Sequence, residues 1–511
     1  MKSNLTRLWA LVLALLMVVT AFAMTACADE KPDDGEKDPA QPPEEEEQPE
    51  EPEEEPRLPI DYLPEQTYDD MTINILQWTV NDETPGNGTW IPWEEIDVES
   101  RSGDTIGDAI YDRNGQVEEK FDVTITHEYA SVNVEPNYFS RVYNNHSSGD
   151  DFYQMITMRT TNINFLCMDG YMANMFDMEY LHTDMPWWNQ DSVRSYTMGN
   201  ALYFAAPEML LLDKGATALM FYNHTVATNA SIGDLYTIAE NGEWTMEKMV
   251  ELSEGIAADM DGDDQISSAE DMYGMTGDGR DIPYYLFSGA GMKFAEMDDD
   301  GHLELTFDDD GILMWQDVVD KVMFSEHYYC YSADWSLIPE NFDVFKADKC
   351  LFSLGLVKAV NTLRNMSSDY GVLPIPKYDE DQKDYSSLVW MHHDSVLGIP
   401  TAVQQTEAVS VALEYMSYLS YYEVYGPFYD TIILGRSARD EQSKRMLEKV
   451  FETRAFDPGQ YWLSDAMHGD KGFLTVCETN TRNIASLWAS LEEKTYTAID
   501  AFNKRIDEMG G

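Results

Sequence analysis

Between Thr72 and Met158 the chain changes hydrophobic period repeatedly, and this alternation restricts the fold more than any other feature. "TINILQW" (72–78) reads as a strand ending on a tryptophan. In "DTIGDAIYDRNGQVEEKFDVTITHEY" (104–129), Ile106, Ile110, Val117 and Phe121 share one helical face, and Val123 to Thr126 then alternates as a strand. "SSGDDFYQMITM" (147–158) is a turn followed by a third strand. Strand, helix, strand, helix, strand in this order predicts a parallel sheet with helices on both faces.

A second cluster of the same kind follows. "ALYFAAP" (201–207) and "ATALMFYN" (216–223) read as strands, and "TMEKMVELSEGIAAD" (245–259) as an amphipathic helix capped by Thr245, with Met249, Leu252 and Ile256 inward. "KCLFSLGLVKAVNTLRN" (349–365) is strand then helix, and "YGVLPIPK" (370–377) is a strand ending on prolines. "SVLGIP" (395–400) looks like a return to the first cluster, and helical stretches fill 404–508. The roughly 450 residues after position 56 are too many for one ordinary core. Two α/β lobes with more than one crossing between them fit the pattern: 57–215 as the first lobe, 216–392 as the second, and 393–511 as the return with C-terminal helices.

The N-terminus carries an export pattern. Lys2 and Arg7 precede the apolar run Leu8 to Ala23, and Met24-Thr25-Ala26-Cys27 follows. Residues 1–26 are expected to be a lipoprotein signal peptide, with Cys27 the lipid attachment site, although Met24 stands where leucine is commoner. A plain secretory signal with an incidental cysteine is the alternative. Residues 27–56 hold fifteen acids, two lysines and no aromatic side chain; such a segment cannot bury a core and reads as an extended tether. The expected location is the extracellular face of a bacterial cell membrane. No later segment is long and apolar enough to span a bilayer.

The whole chain has 94 acidic and 33 basic residues, a formal net charge of −61. Fifteen of the acids and four of the basic residues precede residue 57, so the body is still about fifty charges negative. Nucleic acid is excluded as a partner on these grounds. Cys167, Cys330, Cys350 and Cys477 are widely spaced; two disulfides and four isolated thiols both fit.

"DMDGDDQISSAE" (259–270) has the spacing of an EF-hand-type loop. Asp259, Asp261 and Asp263 fall at positions one, three and five, Gln265 at seven, Ser267 at nine and Glu270 at twelve; oxygens so placed wrap a hard cation. Asp264 occupies position six, where glycine is usual, and Asp271 competes with Glu270 as the last ligand. A structural Ca²⁺ is the expectation, and a solvated acidic turn the alternative. No partner loop is visible, so a calcium sensor is not.

Several segments together resemble the extracellular solute-binding proteins of ABC importers, in the group that includes sugar-binding lipoproteins. They are "GDTIGDAIYDRNGQVEEKFDV", "SSGDDFYQMITM", "YLHTDMPWWNQ", "GNALYFAAPEMLLLDKGATALMFYN", "NGEWTMEKMVELSEGIAADMDGDDQISSAEDMYG" and "GVLPIPKYDEDQKDY…SVLGIP". The resemblance implies a two-lobed periplasmic-binding-protein-like (type II) α/β fold with hinge crossovers and a helical C-terminal part. It also implies a solute held between the lobes, a separately encoded permease and ATPase as partners, a monomeric state and no enzymatic activity.

Sugars offer apolar faces to indole and phenol rings and hydroxyls to polar side chains. The candidates for ligand contact are Trp78 at the end of the first strand, Asp151 in "GDDFY", Trp187 and Trp188 in "MPWWNQ", Tyr284, Trp335, and Trp390 with His392 in "WMHHD". One indole of the 187–188 pair packing at the lobe junction, and Asp151 serving as a turn carboxylate, are the alternatives. Adjacent histidines on a strand point to opposite faces, so "WMHHD" is not read as a metal site. Capture of an oligosaccharide for import is the leading function; a glycan-binding adhesin and a surface glycoside hydrolase are the alternatives, and no catalytic motif is visible.

Overall fold

The computed structural model describes residues 57–80, 91–133, 137–331, 342–433, 441–469 and 471–510. The segment up to Cys27, the acidic tether and Trp335 lie outside the described residues. The body from Pro59 to Gly511 forms one compact unit.

Its two larger sheets contain strands β1 (Met71–Thr79), β2 (Val123–Ser131), β3 (Met155–Met158), β4 (Ala218–Asn223), β5 (Tyr273–Gly277), β6 (Tyr328–Cys330), β7 (Cys350–Leu356), β8 (Tyr370–Leu373) and β9 (Val396–Gly398). The first sheet has the order β9-β3-β1-β2 and the second β6-β5-β7-β4-β8. β1 pairs in parallel with β2 from Met71↔Val123 to Thr79↔Ser131, and in parallel with β3. The three strands that begin the body therefore make the parallel sheet their spacing predicts. β9 is antiparallel to β3, as a strand arriving from the other lobe can be. The second sheet is mixed: β5, β6 and β7 are parallel, and β4 runs antiparallel to β7 and β8.

Helix α1 (Thr105–Phe121) follows β1, and its start is fixed by Asp104, whose carboxylate accepts the Gly107 N–H. It buries Ile106, Ile110, Val117 and Phe121, the face the sequence marks. Helices α2 (Tyr138–Ser148) and α3 (Ile163–Met168) come after β2 and β3. In the second lobe α4 (Met246–Glu254), capped by Thr245, lies on β5. Gly274 permits this approach, since a Cβ there would stand 2.3 Å from Ser253 Cα. Helices α5 (Ile282–Gly289) and α6 (Asp309–Val318) complete that lobe.

The C-terminal helices pack on elements of both lobes. α7 (Thr406–Leu419) packs on α1, whereas α8 (Glu441–Glu452) packs on β8 and α9 (Ile484–Gly510) on α6. Segments that run between the lobes pair with one another. Ala205 bridges Leu397, Thr217 bridges Val389, and Ser387-Leu388 pairs with Arg454-Ala455. A buried ion network ties the crossings: Arg454 to Asp213 at 2.6 Å and Glu208 at 3.3 Å, and Lys214 to Glu208 at 3.0 Å. Each of these charges is tolerable in the interior only because the others are present.

Candidate ligand-binding site

In parallel sheets the strands end together, and the polar residues just beyond their carboxyl ends face outward from the sheet edge. Here both lobes point such ends at one crossover segment, Trp390–Ser395. From the first lobe, the Trp78 indole N–H at the end of β1 donates to Ser395 Oγ at 3.3 Å. Just past β3, Thr160 donates to the Asp394 carboxylate through its backbone N–H at 3.0 Å and its hydroxyl at 2.7 Å. Arg159, directly after β3, stacks its guanidinium 5.3 Å from the Trp78 ring. From the second lobe, Asp278, Arg280 and Asp281 follow β5, and Lys358 follows β7. Lys358 Nζ lies 2.5 Å from His393 Nδ1. Trp390 packs against Tyr284, Tyr285 and His392, with ring centroids 5.1, 5.8 and 5.1 Å apart.

The electrostatics follow from burial. Burial pushes Asp394 up to about 8, with the Thr160 bonds and Arg159 pulling the other way. Asp281 is raised well above the carboxylate range, first by burial and then by Asp278 beside it. His392 is pushed down to about 3 by burial, with Arg159, Arg280 and His468 adding to the effect. His393 is likewise held well below its usual value by burial and Lys358, so Lys358 is the donor to a neutral ring. Several polar atoms at the junction have no hydrogen-bond partner: Trp390 Nε1, His392 Nε2, Arg159 Nε and Asn162 Oδ1. Trp390 Nε1 faces the Asp281 carboxyl without meeting hydrogen-bond geometry. Buried polar groups in folded proteins are nearly always satisfied, so these orphans make the junction a candidate site.

Of the candidates read from the sequence, Trp78, Trp390, His392 and Tyr284 gather here. Tyr284 is fully buried and its hydroxyl is spent on His468 Nδ1 at 2.6 Å, so it supports Trp390 from behind. Trp187 and Trp188 are elsewhere, in the core of the first lobe. Both are buried, and their indole N–H groups donate to the two oxygens of Glu414 on α7, at 2.8 and 2.9 Å. A buried carboxylate requires such donors, and this requirement, not a ligand, holds the pair. Asp151 is at the wrong end of its strand. The loop entering β3 lies on the amino side of the sheet, where Asp151 accepts from Gln404 N at 3.1 Å and lines a cavity with Thr72 and Asn74.

The acidic loop keeps part of its expected arrangement. Asp259, Asp261 and Asp263 bring one carboxylate oxygen each within 4.8 Å of one another. Asp259 accepts the N–H groups of Gly262 and Asp264, and Asp263 that of Gln265. Asp264 adopts φ +65, as the sharp turn requires. Glu270 is not brought in: it pairs with Lys349 at 2.7 Å. Asp271 closes the loop instead, accepting the N–H groups of Met260, Ser267 and Ser268.

Arg159, Arg280, Asp278, Asp281 and Lys358 were not singled out from the sequence. Their signal was present, since each is among the first polar residues after a legible strand, "MITM-R", "YGMTGDGRD" and "LFSLGLVK".

No family model matches the chain, and no curated protein does. Many solved structures share its fold. An ABC substrate-binding protein from Listeria monocytogenes, in complex with cycloalternan, is 11% identical, with 86% of this chain and 100% of that one covered at a TM-score of 0.51. UspC of M. tuberculosis is 14% identical over 84% of this chain and 100% of its own, at 0.52. A cyclo/maltodextrin-binding protein complexed with maltotetraose is 11% identical over 85% and 97%, at 0.52. The chain thus has the two-lobed α/β fold of the ABC solute-binding proteins.

Proposed function

We propose that this protein captures a carbohydrate between its lobes and delivers it to an ABC importer, without chemical change to the sugar. The observation that carries this reading is the set of unpartnered polar atoms, Trp390 Nε1, His392 Nε2, Arg159 Nε and Asn162 Oδ1, where the strand ends of both lobes meet. The Trp78 and Trp390 indoles beside them are fully buried in this structure and, in this reading, offer apolar platforms to a sugar face only when the lobes part. The bound sugars of the Listeria and maltodextrin-binding structures support the class of ligand. In this reading Cys27 anchors the protein by lipid to the outer face of the cell membrane, and residues 27–56 hold it at a distance. The loop at Asp259 to Asp271 takes Ca²⁺ as a structural staple. Closure of two lobes about hinge strands is the motion expected on binding.

The test is a thermal-shift panel of neutral and acidic mono- and oligosaccharides, with product analysis by chromatography. One sugar class should raise the melting temperature saturably and be recovered intact, because a ligand bound only by the folded state stabilises it by mass action. Recovery of cleaved sugar, or no shift with any carbohydrate, overturns the reading.

A further inference from the structure

We propose that the ligand carries an anionic group, a carboxylate or a phosphate, clamped between Arg159 of the first lobe and Arg280 of the second. This rests on the reading of the Trp390–Ser395 junction as the ligand site, and it narrows the class of ligand.

The argument begins with how arginines are used elsewhere in this chain. With 94 acids for 33 basic residues, partners are plentiful. Buried Arg113 donates to the Glu95 and Ile96 carbonyls and to Ser420. Arg454 pairs with Asp213 and Glu208, Arg141 with Glu128, and Arg445 with Glu240. Among the described residues, Arg159 and Arg280 are the two arginines for which neither an ion pair nor a side-chain hydrogen bond is formed. They occupy equivalent places, just beyond the carboxyl ends of β3 and β5, and both depress the same imidazole, His392.

The nearby acids, Asp394 beside Arg159 and Asp278 and Asp281 beside Arg280, interact with them electrostatically but form no ion pair with them. Asp394 is committed to Thr160. Asp278 turns its Oδ1 onto the backbone N–H groups of Arg280 and Asp281, at 2.7 and 2.6 Å. Asp281 is raised towards its neutral form by burial and by Asp278. Burial brings Arg159 down only to about 10, so it stays cationic at neutral pH. Trp390 Nε1, which faces the Asp281 carboxyl without a well-formed hydrogen bond, is a further neutral donor nearby. Two guanidiniums thus stand beside the junction without an ion pair, and guanidinium forks match the two-oxygen edge of a carboxylate or phosphate. The net negative charge of the body does not oppose this at contact range, because charges beyond about 8 Å are screened at physiological salt.

The test is isothermal titration of the protein with three matched probes: a neutral disaccharide, the same disaccharide with one uronic acid, and its phosphate ester. Inorganic phosphate and a sugar-free hydroxycarboxylate serve as further probes. Wild type, Arg159→Gln, Arg280→Gln and the two lysine variants are compared. Wild type should prefer an acidic sugar to its neutral match by on the order of 100-fold. Each glutamine variant should lose that preference, and the lysine variants should recover part of it. The uronate and phosphate arms identify which oxyanion is bound. A neutral sugar held as tightly as its acidic match overturns the proposal and leaves carbohydrate capture standing. Arginine-dependent binding of the sugar-free anions alone keeps the clamp and removes the carbohydrate. No binding by any anionic probe overturns the clamp. Should a glutamine variant fail to fold, the wild-type preference among the three sugars still decides.

Discussion

The placement of Trp187 and Trp188 on a buried carboxylate has a measurable consequence. Glu414 is fully buried on α7 and accepts from Trp187 Nε1, Trp188 Nε1, the Tyr62 hydroxyl and the His182 N–H. Glu414→Leu keeps an apolar volume there and removes every acceptor. The two indole N–H groups, 0% and 1% exposed, have no water to turn to. An unsatisfied buried donor costs about 1–3 kcal/mol, which gives roughly 2–6 kcal/mol for the pair. Tyr62 and His182 are part-exposed and can rehydrate. Loss of the carboxylate's own burial cost, visible in the raised Glu414 pKa, offsets some of this. A net destabilisation of about 3 kcal/mol is expected. Urea unfolding followed by tryptophan emission measures it. The decisive comparison is a double-mutant cycle: in a Trp187→Phe, Trp188→Phe background the donors are gone, and Glu414→Leu should cost far less. Ligand affinity should stay within twofold throughout. An equal cost in both backgrounds, or a change in affinity with little change in stability, would refute the assignment of this pair to the core.

Two further outcomes are expected. Asp394 holds its proton to about pH 8 when folded but ionises near 3.8 when unfolded, so its contribution to stability is complete below pH 4 and lost as pH rises to 8. Asp394→Asn should therefore flatten the fall in stability across that window, and parallel pH curves for the two proteins would contradict the assignment. Calcium should raise the melting temperature over chelator in the wild type and much less in Asp261→Asn; identical melting in calcium and chelator would remove the staple.

Much of the fold was legible because it is local. The β1, α1, β2 and β3 segments each carry their own period, their own caps and their own turn residues, and they form where those signals place them. Their parallel order follows from the helix between them. Asp264 at φ +65 likewise follows from the short range of a tight turn.

The candidate site was legible only in part, for a geometric reason. A sequence shows that a residue flanks a strand, and Trp78 and Trp390 were picked out as candidates that way. Which end of the sheet faces the other lobe is a fact about the packed chain, and it places Asp151 away from the candidate site and Arg159 and Arg280 beside it. Which aromatics are buried depends on partners far away in sequence: Trp187 meets Glu414 across 227 positions. Composition, period and spacing determined the two lobes and their order. Only the tertiary structure decided which carboxylates the core consumes, and which arginines it leaves without one, because those pairings are made by residues that the chain itself holds apart.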